Sequence, residues 1–277
     1  MRTVRPWTPW VPMALLVALA APLAADTCDA LADALLSGDE KRVESTTQAA
    51  SEDKSFPVGK AIVKAGEFSG QVAAADKQKQ ETLIKAVKVM LSVAADHIGE
   101  KEMAAAIPKL IEIIDKGDPR TNVIVETALS KATTHGFTDQ DYKAQGTKIE
   151  AWADHKTMWT KWWKDNAPKP YMQLFMDGME RAGVKLRPAT PGPPTDAGTD
   201  AMLQTLFGGL NHEQPYIRFA AAKMIRVGIF DRLKLKEPWG FDEDAPQASR
   251  AKSIADLRKI YDDHKAEILQ MMKPPGK

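Results

Sequence analysis

Apolar residues recur along this chain at helical spacing and nowhere at strand spacing. Met103, Ile107, Leu110, Ile111 and Ile114 fall at i, i+4, i+7, i+8 and i+11, one continuous stripe. Leu83, Val87, Met90, Leu91 and Ala94 form a second, and Ile217, Ala220, Ala221, Met224 and Ile225 a third. Leu203, Leu206, Phe207 and Leu210 form a shorter one, while Ile254, Leu257, Tyr261, Ile268 and Met271 run down one face near the C-terminus. There is no run of alternating β-branched residues and no Asn-Gly turn between apolar runs, so hairpins have no local support.

Punctuation between the stripes agrees with helices joined by short turns. Asp118-Pro119 and Gln214-Pro215 read as helix starts, because Pro at the first helical position lacks only a donor that would be unpaired anyway. Gly136 and Gly228 stand just past periodic segments, where a left-handed residue is expected. Short turns between helices make antiparallel neighbours. Gly136-Phe137 and Gly240-Phe241 recur, and Trp159–Asn166 aligns with Leu257–His264, which suggests an internal duplication of several helices per unit.

The stretch from Leu203 to Ile225, containing Ile217-Arg218 at the opening of its second helix, resembles a HEAT repeat of the PBS-lyase-like kind. Ile107-Pro108 through Ile114, followed by Asp118, resembles another, with Pro108 as its mid-helix proline. The resemblance covers residues 80–230; Asn211 or His212 stands where the family has an acidic turn residue. It implies an all-α fold, an α-solenoid of stacked helical hairpins, with residues 26–75 and 240–277 as capping ends.

Composition sets the compartment and removes several function classes. Residues 1–25 carry Arg2 and Arg5, no acid, the apolar run Met13–Ala21 and a small-residue exit, the pattern of a secretory signal peptide cleaved near Ala24 or Ala25. The expected organisation is therefore a signal peptide (1–25), a helical repeat region (26–186), a Pro/Gly-rich loop or linker (187–199) and a continuing helical region (200–277). The expected location is exported, periplasmic or extracellular. A formal charge of +1 offers no general attraction to nucleic acid, and no later stretch is apolar enough to span a membrane. The single cysteine, Cys28, excludes a disulfide framework and, so near the expected mature N-terminus, is read as frayed and without a catalytic role.

Chemical motifs are scarce. His97, His135, His155, His212 and His264 contain no i, i+4 pair, and neither a phosphate-binding glycine loop nor a G-x-S-x-G elbow occurs. The sequence nominates no catalytic residue, no metal ligand and no cofactor. One local density stands out: Trp152, Trp159, Trp162 and Trp163 lie within twelve positions. Trp152, Trp159 and Trp163 share a face and are expected in the core; Trp162 sits to one side and is expected at the surface. Trp162, His155 and Arg218 are the candidate partner-binding residues. The expected function is a non-catalytic protein-interaction scaffold whose partner is another exported protein. The alternatives are a glycan- or peptide-binding module built on the Trp cluster and, behind it, a lyase-like enzyme.

Overall fold

A computed structural model describes residues 26–146, 148, 151–187, 195–234 and 240–273. The expected signal peptide, residues 188–194 of the Pro/Gly-rich loop, and Trp239 lie outside the described residues. Among the described residues every regular element is helical, so the all-α expectation holds.

Six helices precede the tryptophan segment: α1 (Thr27–Ser37), α2 (Glu40–Glu52), α3 (Val58–Gln71), α4 (Lys77–His97), α5 (Glu100–Ile113) and α6 (Pro119–Thr133). Local chemistry starts most of them. Asp26, Asp39, Asp76 and Asp118 each accept from a backbone N–H of the first turn, satisfying donors that no preceding carbonyl can reach. Pro119 occupies the first position of α6, as its dipeptide predicts. Pro108 is accommodated inside α5, whose remaining residues keep the stripe from Met103 to Ile111 buried.

The short α7 (Asp139–Ala144) opens with a capping box in which Thr138 and Asp141 satisfy each other's backbone donors. After it come α8 (Trp152–Asn166), α9 (Tyr171–Arg181), α10 (Asp196–Gly209) and α11 (Pro215–Ile225). Helix α11 widens into a π turn at Arg226–Phe230, continues as α12 (Asp231–Leu233), and α13 (Gln247–Met271) follows a turn at Asp242–Ala245.

Two glycine expectations need correction. The left-handed residues at these helix ends are Thr134 and Lys234, at φ 52° and 51°; Gly228 lies inside the π turn without positive φ. Gly136 serves a close approach instead. A Cβ there would stand 2.6 Å from the Tyr216 ring, so the chain past α6 touches the start of α11 only because the side chain is missing. Periodicity marks where a helix stops but not which residue turns the chain.

All the stripe residues from Leu83 to Ala94 and from Met103 to Ile114 are buried. They belong to a first core extending from Cys28 to Leu174, and a second core runs from Phe175 to Ile268. The division falls inside α9, whose Leu174 serves the first core and Phe175 the second. Helix α6 touches both α9 and α11, which joins the two cores. Cys28 is fully buried on α1 rather than frayed, and burial pushes its thiol up to about 11, which keeps it protonated and unreactive near neutral pH. None of the described helices is long and apolar enough to cross a membrane.

Candidate functional site: an aromatic cleft at the end of α6

Helix α8 distributes its rings according to face. His155 and Trp159, one turn apart, point inward and are 1% and 0% exposed. Both meet Glu126 of α6, a partly buried carboxylate at the edge of the first core. Trp159 Nε1 donates to its Oε1 at 2.9 Å, His155 Nδ1 stands 3.2 Å from its Oε2, and the Tyr142 hydroxyl of α7 donates to Oε1. The Tyr142 and His155 rings are stacked, with centroids 4.0 Å apart. Burial favours the protonated acid, but the bonds from His155, Tyr142 and Trp159 outweigh it and hold Glu126 below the usual carboxylate range. This closed cluster ties α6, α7 and α8 together. His155 Nε2 is enclosed there without a hydrogen-bond partner among the described residues.

One further turn along α8, Trp162 reaches the rim of this packing and is half-buried. Its ring lies on the His135 ring, with centroids 4.4 Å apart and planes 16° from parallel. His135 in turn meets Phe137 and Trp159 edge-on, at 4.9 and 5.6 Å. Together Trp162, His135 and Phe137 wall a cleft of about 420 Å³, whose other side is formed by α9 through Leu174, Gly178 and Arg181. Asp141, Asn166 and Asp177 complete the lining.

Gly178 sets the width of the cleft. A Cβ there would fall 1.8 Å from the Thr134 carbonyl oxygen, so α9 sits against the end of α6 only as glycine. That carbonyl belongs to the left-handed residue that turns the chain toward His135. A tight backbone crossing therefore places His135 on one wall and Arg181 on the other.

The polar groups of the cleft are paired before any ligand arrives. Arg181 Nη2 donates to Asp141 Oδ2 at 2.7 Å, and Nη1 lies 2.7 Å from His135 Nδ1 and 3.1 Å from Nε2. A guanidinium can only donate, so the nearer ring nitrogen accepts and the imidazole proton belongs on Nε2. Burial, reinforced by the Arg181 charge, lowers the His135 pKa to about 3, so the ring is neutral at ordinary pH. Asp141 also accepts from the Thr138 N–H and hydroxyl at 2.7 and 2.8 Å, and Asp177 binds Lys169 and Arg187 at 3.2 and 2.6 Å. Each carboxylate thus has a cation beside it, and the cleft carries little unbalanced charge.

Compared with protein families, with curated proteins and with solved structures, the chain finds no match. Its function has to be argued from the site itself.

Of the three sequence candidates, the structure brings only Trp162 to this cleft. His155 is enclosed in the Glu126 cluster. Arg218 is 7% exposed and bonds the carbonyls of His212 and Glu213 at 2.8 Å and of Glu243 at 2.7 Å, so it fastens the turn before α11 to the turn before α13. Neither side chain is accessible to a partner. Trp152 and Trp163, expected in the core beside Trp159, are half-buried against it. His135, Asp141, Asp177 and Arg181 escaped sequence reasoning. The Thr138-x-x-Asp141 spacing could have marked Asp141 as a capping residue, but nothing local links His135 to Arg181, 46 positions away. Among the described residues, no group of three or more His, Cys, Asp or Glu could hold a metal ion.

Proposed function

We propose that this chain is an exported, non-catalytic HEAT-like scaffold that holds another protein by inserting one of its side chains into the His135–Trp162–Arg181 cleft. The observation that carries this reading is the half-exposed Trp162 lying flat on a neutral His135 beside a pre-paired Arg181–Asp141. Trp and Arg are the residue types that most often dominate binding energy, and rings already fixed by stacking lose little entropy on binding. A cleft of about 420 Å³ takes one or two side chains of a partner rather than a large cofactor.

The stacked-hairpin part of the reading is supported by which helices touch. Helices α1, α3, α5 and α8 pack successively, as do α2, α4, α6 and α11. Two parallel rows of this sort are what helical hairpins produce when each leans on its neighbour. Export rests on the pattern of residues 1–25 alone.

A second reading, a module for a small glycan, draws on the same cleft. An indole beside planar, pre-oriented carboxylate and guanidinium groups suits a neutral polyhydroxylated ring, which needs stacking and paired hydrogen bonds more than charge. The two readings separate by experiment. Immobilised residues 26–277, in wild-type and Trp162→Ala form, are exposed to the exported protein fraction of the native host. The scaffold reading expects a protein retained by wild type and lost with the variant. Equal retention by both removes the cleft as the contact. Saccharide quenching of tryptophan fluorescence, with no protein retained, transfers the function to the glycan reading.

A further inference from the structure

Along α4 the molecule carries a second groove that shares no lining residue with the aromatic cleft. Two cavities of about 510 and 320 Å³ meet at Lys88 and Ser92, which line both. The larger has an apolar wall of Val89, Val93, Phe219 and Phe241, and the smaller one of Leu91, Ile124, Ala128 and Pro215. The groove is therefore elongated, with two apolar chambers and a polar waist.

The charges in it are not evenly committed. Asp96 receives Arg226 Nη2 on both oxygens at 2.7 and 2.8 Å. Glu243 is bound by the buried Lys131 at 2.7 Å, and Asp244 stands 3.9 Å from the same ammonium. Lys85 and Lys88, by contrast, are exposed on α4 and enter no ion pair or hydrogen bond among the described residues. Thr47 contributes a hydroxyl oxygen enclosed at the groove wall with no partner among the described residues. Arg226 enters from the first position of the π turn, a helical irregularity that recurs at functional sites.

We propose that this groove binds an extended acidic peptide segment in which carboxylate and apolar side chains alternate. In an extended chain, side chains two apart are separated by about 6.6–6.8 Å and point the same way. Lys85 and Lys88 lie three apart on one helix, so their stems start about 5–6 Å from each other. Two carboxylates at alternate positions thus meet the two ammoniums, and the intervening apolar side chain turns toward a chamber. The acids already fixed in the walls, Asp96 and Glu243, set the groove against a continuous polyanion such as nucleic acid, whose phosphates could not avoid them. This proposal stands apart from the cleft reading, because it uses different residues.

Fluorescence anisotropy with a labelled peptide of alternating Glu and Leu, and with its Gln-for-Glu counterpart, tests it. Wild-type residues 26–277 are compared with the Lys85→Glu/Lys88→Glu double variant and with Trp162→Ala. Both lysines are exposed and unpaired among the described residues, so the double variant is expected to melt as wild type does. The Glu peptide should bind wild type and Trp162→Ala alike, bind the double variant at least about tenfold more weakly, and lose affinity as salt is raised. The Gln peptide should bind no better than the Glu peptide binds the double variant. Failure of the Glu peptide to bind wild type, equal binding by the double variant, or equal binding of the Gln peptide overturns the proposal. Loss of the Glu peptide in Trp162→Ala alone would place that peptide in the aromatic cleft instead, and also overturns it.

Discussion

The Glu126 cluster and the Trp162 cleft are neighbours made of the same ingredients: histidine, large aromatic rings and a carboxylate. In the first, Tyr142, His155 and Trp159 are buried and converge by hydrogen bonds on the partly buried Glu126. In the second, Arg181 bonds His135 and Asp141 and Trp162 stacks on His135, yet the four surround open space. The difference comes from position on α8. Trp159 faces α6 at close range, while Trp162, three residues on, lines the cleft that opens beside the tight Gly178–Thr134 crossing of α9 on the end of α6. Similar side chains make a closed structural clamp around Glu126 and line an open cleft beside Trp162.

Substitutions sharpen the contrast, the largest effects belonging to the closed cluster. Trp159→Ala removes a fully buried ring and one donor to Glu126, and should cost roughly 3–5 kcal/mol in chemical denaturation. A loss below about 1 kcal/mol would mean that the cluster does not hold α8.

Glu126→Gln keeps the shape but exchanges a charged acceptor for an amide that must point one donor at a donor. About 1.5–3 kcal/mol is expected, the range for hydrogen bonds to a charged group. Because the folded state holds Glu126 below its ordinary pKa, its contribution is present at neutral pH and lost as acid protonates it. The variant and wild type should therefore converge in stability at low pH. A constant gap down to acid would show that the charge was not the source.

Trp162→Ala should cost only about 1–2 kcal/mol, the stacking and partial burial of one half-covered ring. On the proposed function its main effect should be on partner capture. A loss as large as that of Trp159→Ala would place Trp162 in the core and dissolve the comparison.

Acid should find the cleft earlier than the clamp. The folded pKa of His135 is lowered from an ordinary value of 6.5 to about 3, so the unfolded chain binds a proton there before the native one does. Its stabilising contribution is complete above about 6.5 and drains away as pH falls toward 3, at up to about 1.4 kcal/mol per pH unit. Thermal melts from pH 7 to 4.5 should be steeper for wild type than for His135→Phe. Parallel curves would assign the acid sensitivity elsewhere.

Much of the helical framework was legible in the chain. Stripes such as Met103–Ile114 and starts such as Asp118-Pro119 obey interactions within four residues, which sequence displays directly. The candidate site was legible only in its tryptophans. Even there the division was only partly right: Trp159 is core, but Trp163 is half-covered, and Trp162 lies against a histidine 27 positions earlier on the chain. His155 reads the same in sequence whether it faces a partner or a buried glutamate.

What the sequence by itself determined is therefore the helical class, the starts of α6 and α11 and the apolar stripes of α4, α5, α10, α11 and α13, since propensity, capping and periodicity are local. Tertiary structure alone decided which polar residues met. Lys131 finds Glu243 across 112 positions, Arg226 finds Asp96 across 130, and Arg181 finds His135 across 46. No local pattern selects such partners, because a charge lowers its energy with any opposite charge nearby. Only the packing of α6 against α9 and α11, helped by the backbone contact at Gly178 and the Tyr216 ring against Gly136, brings these particular ones within reach.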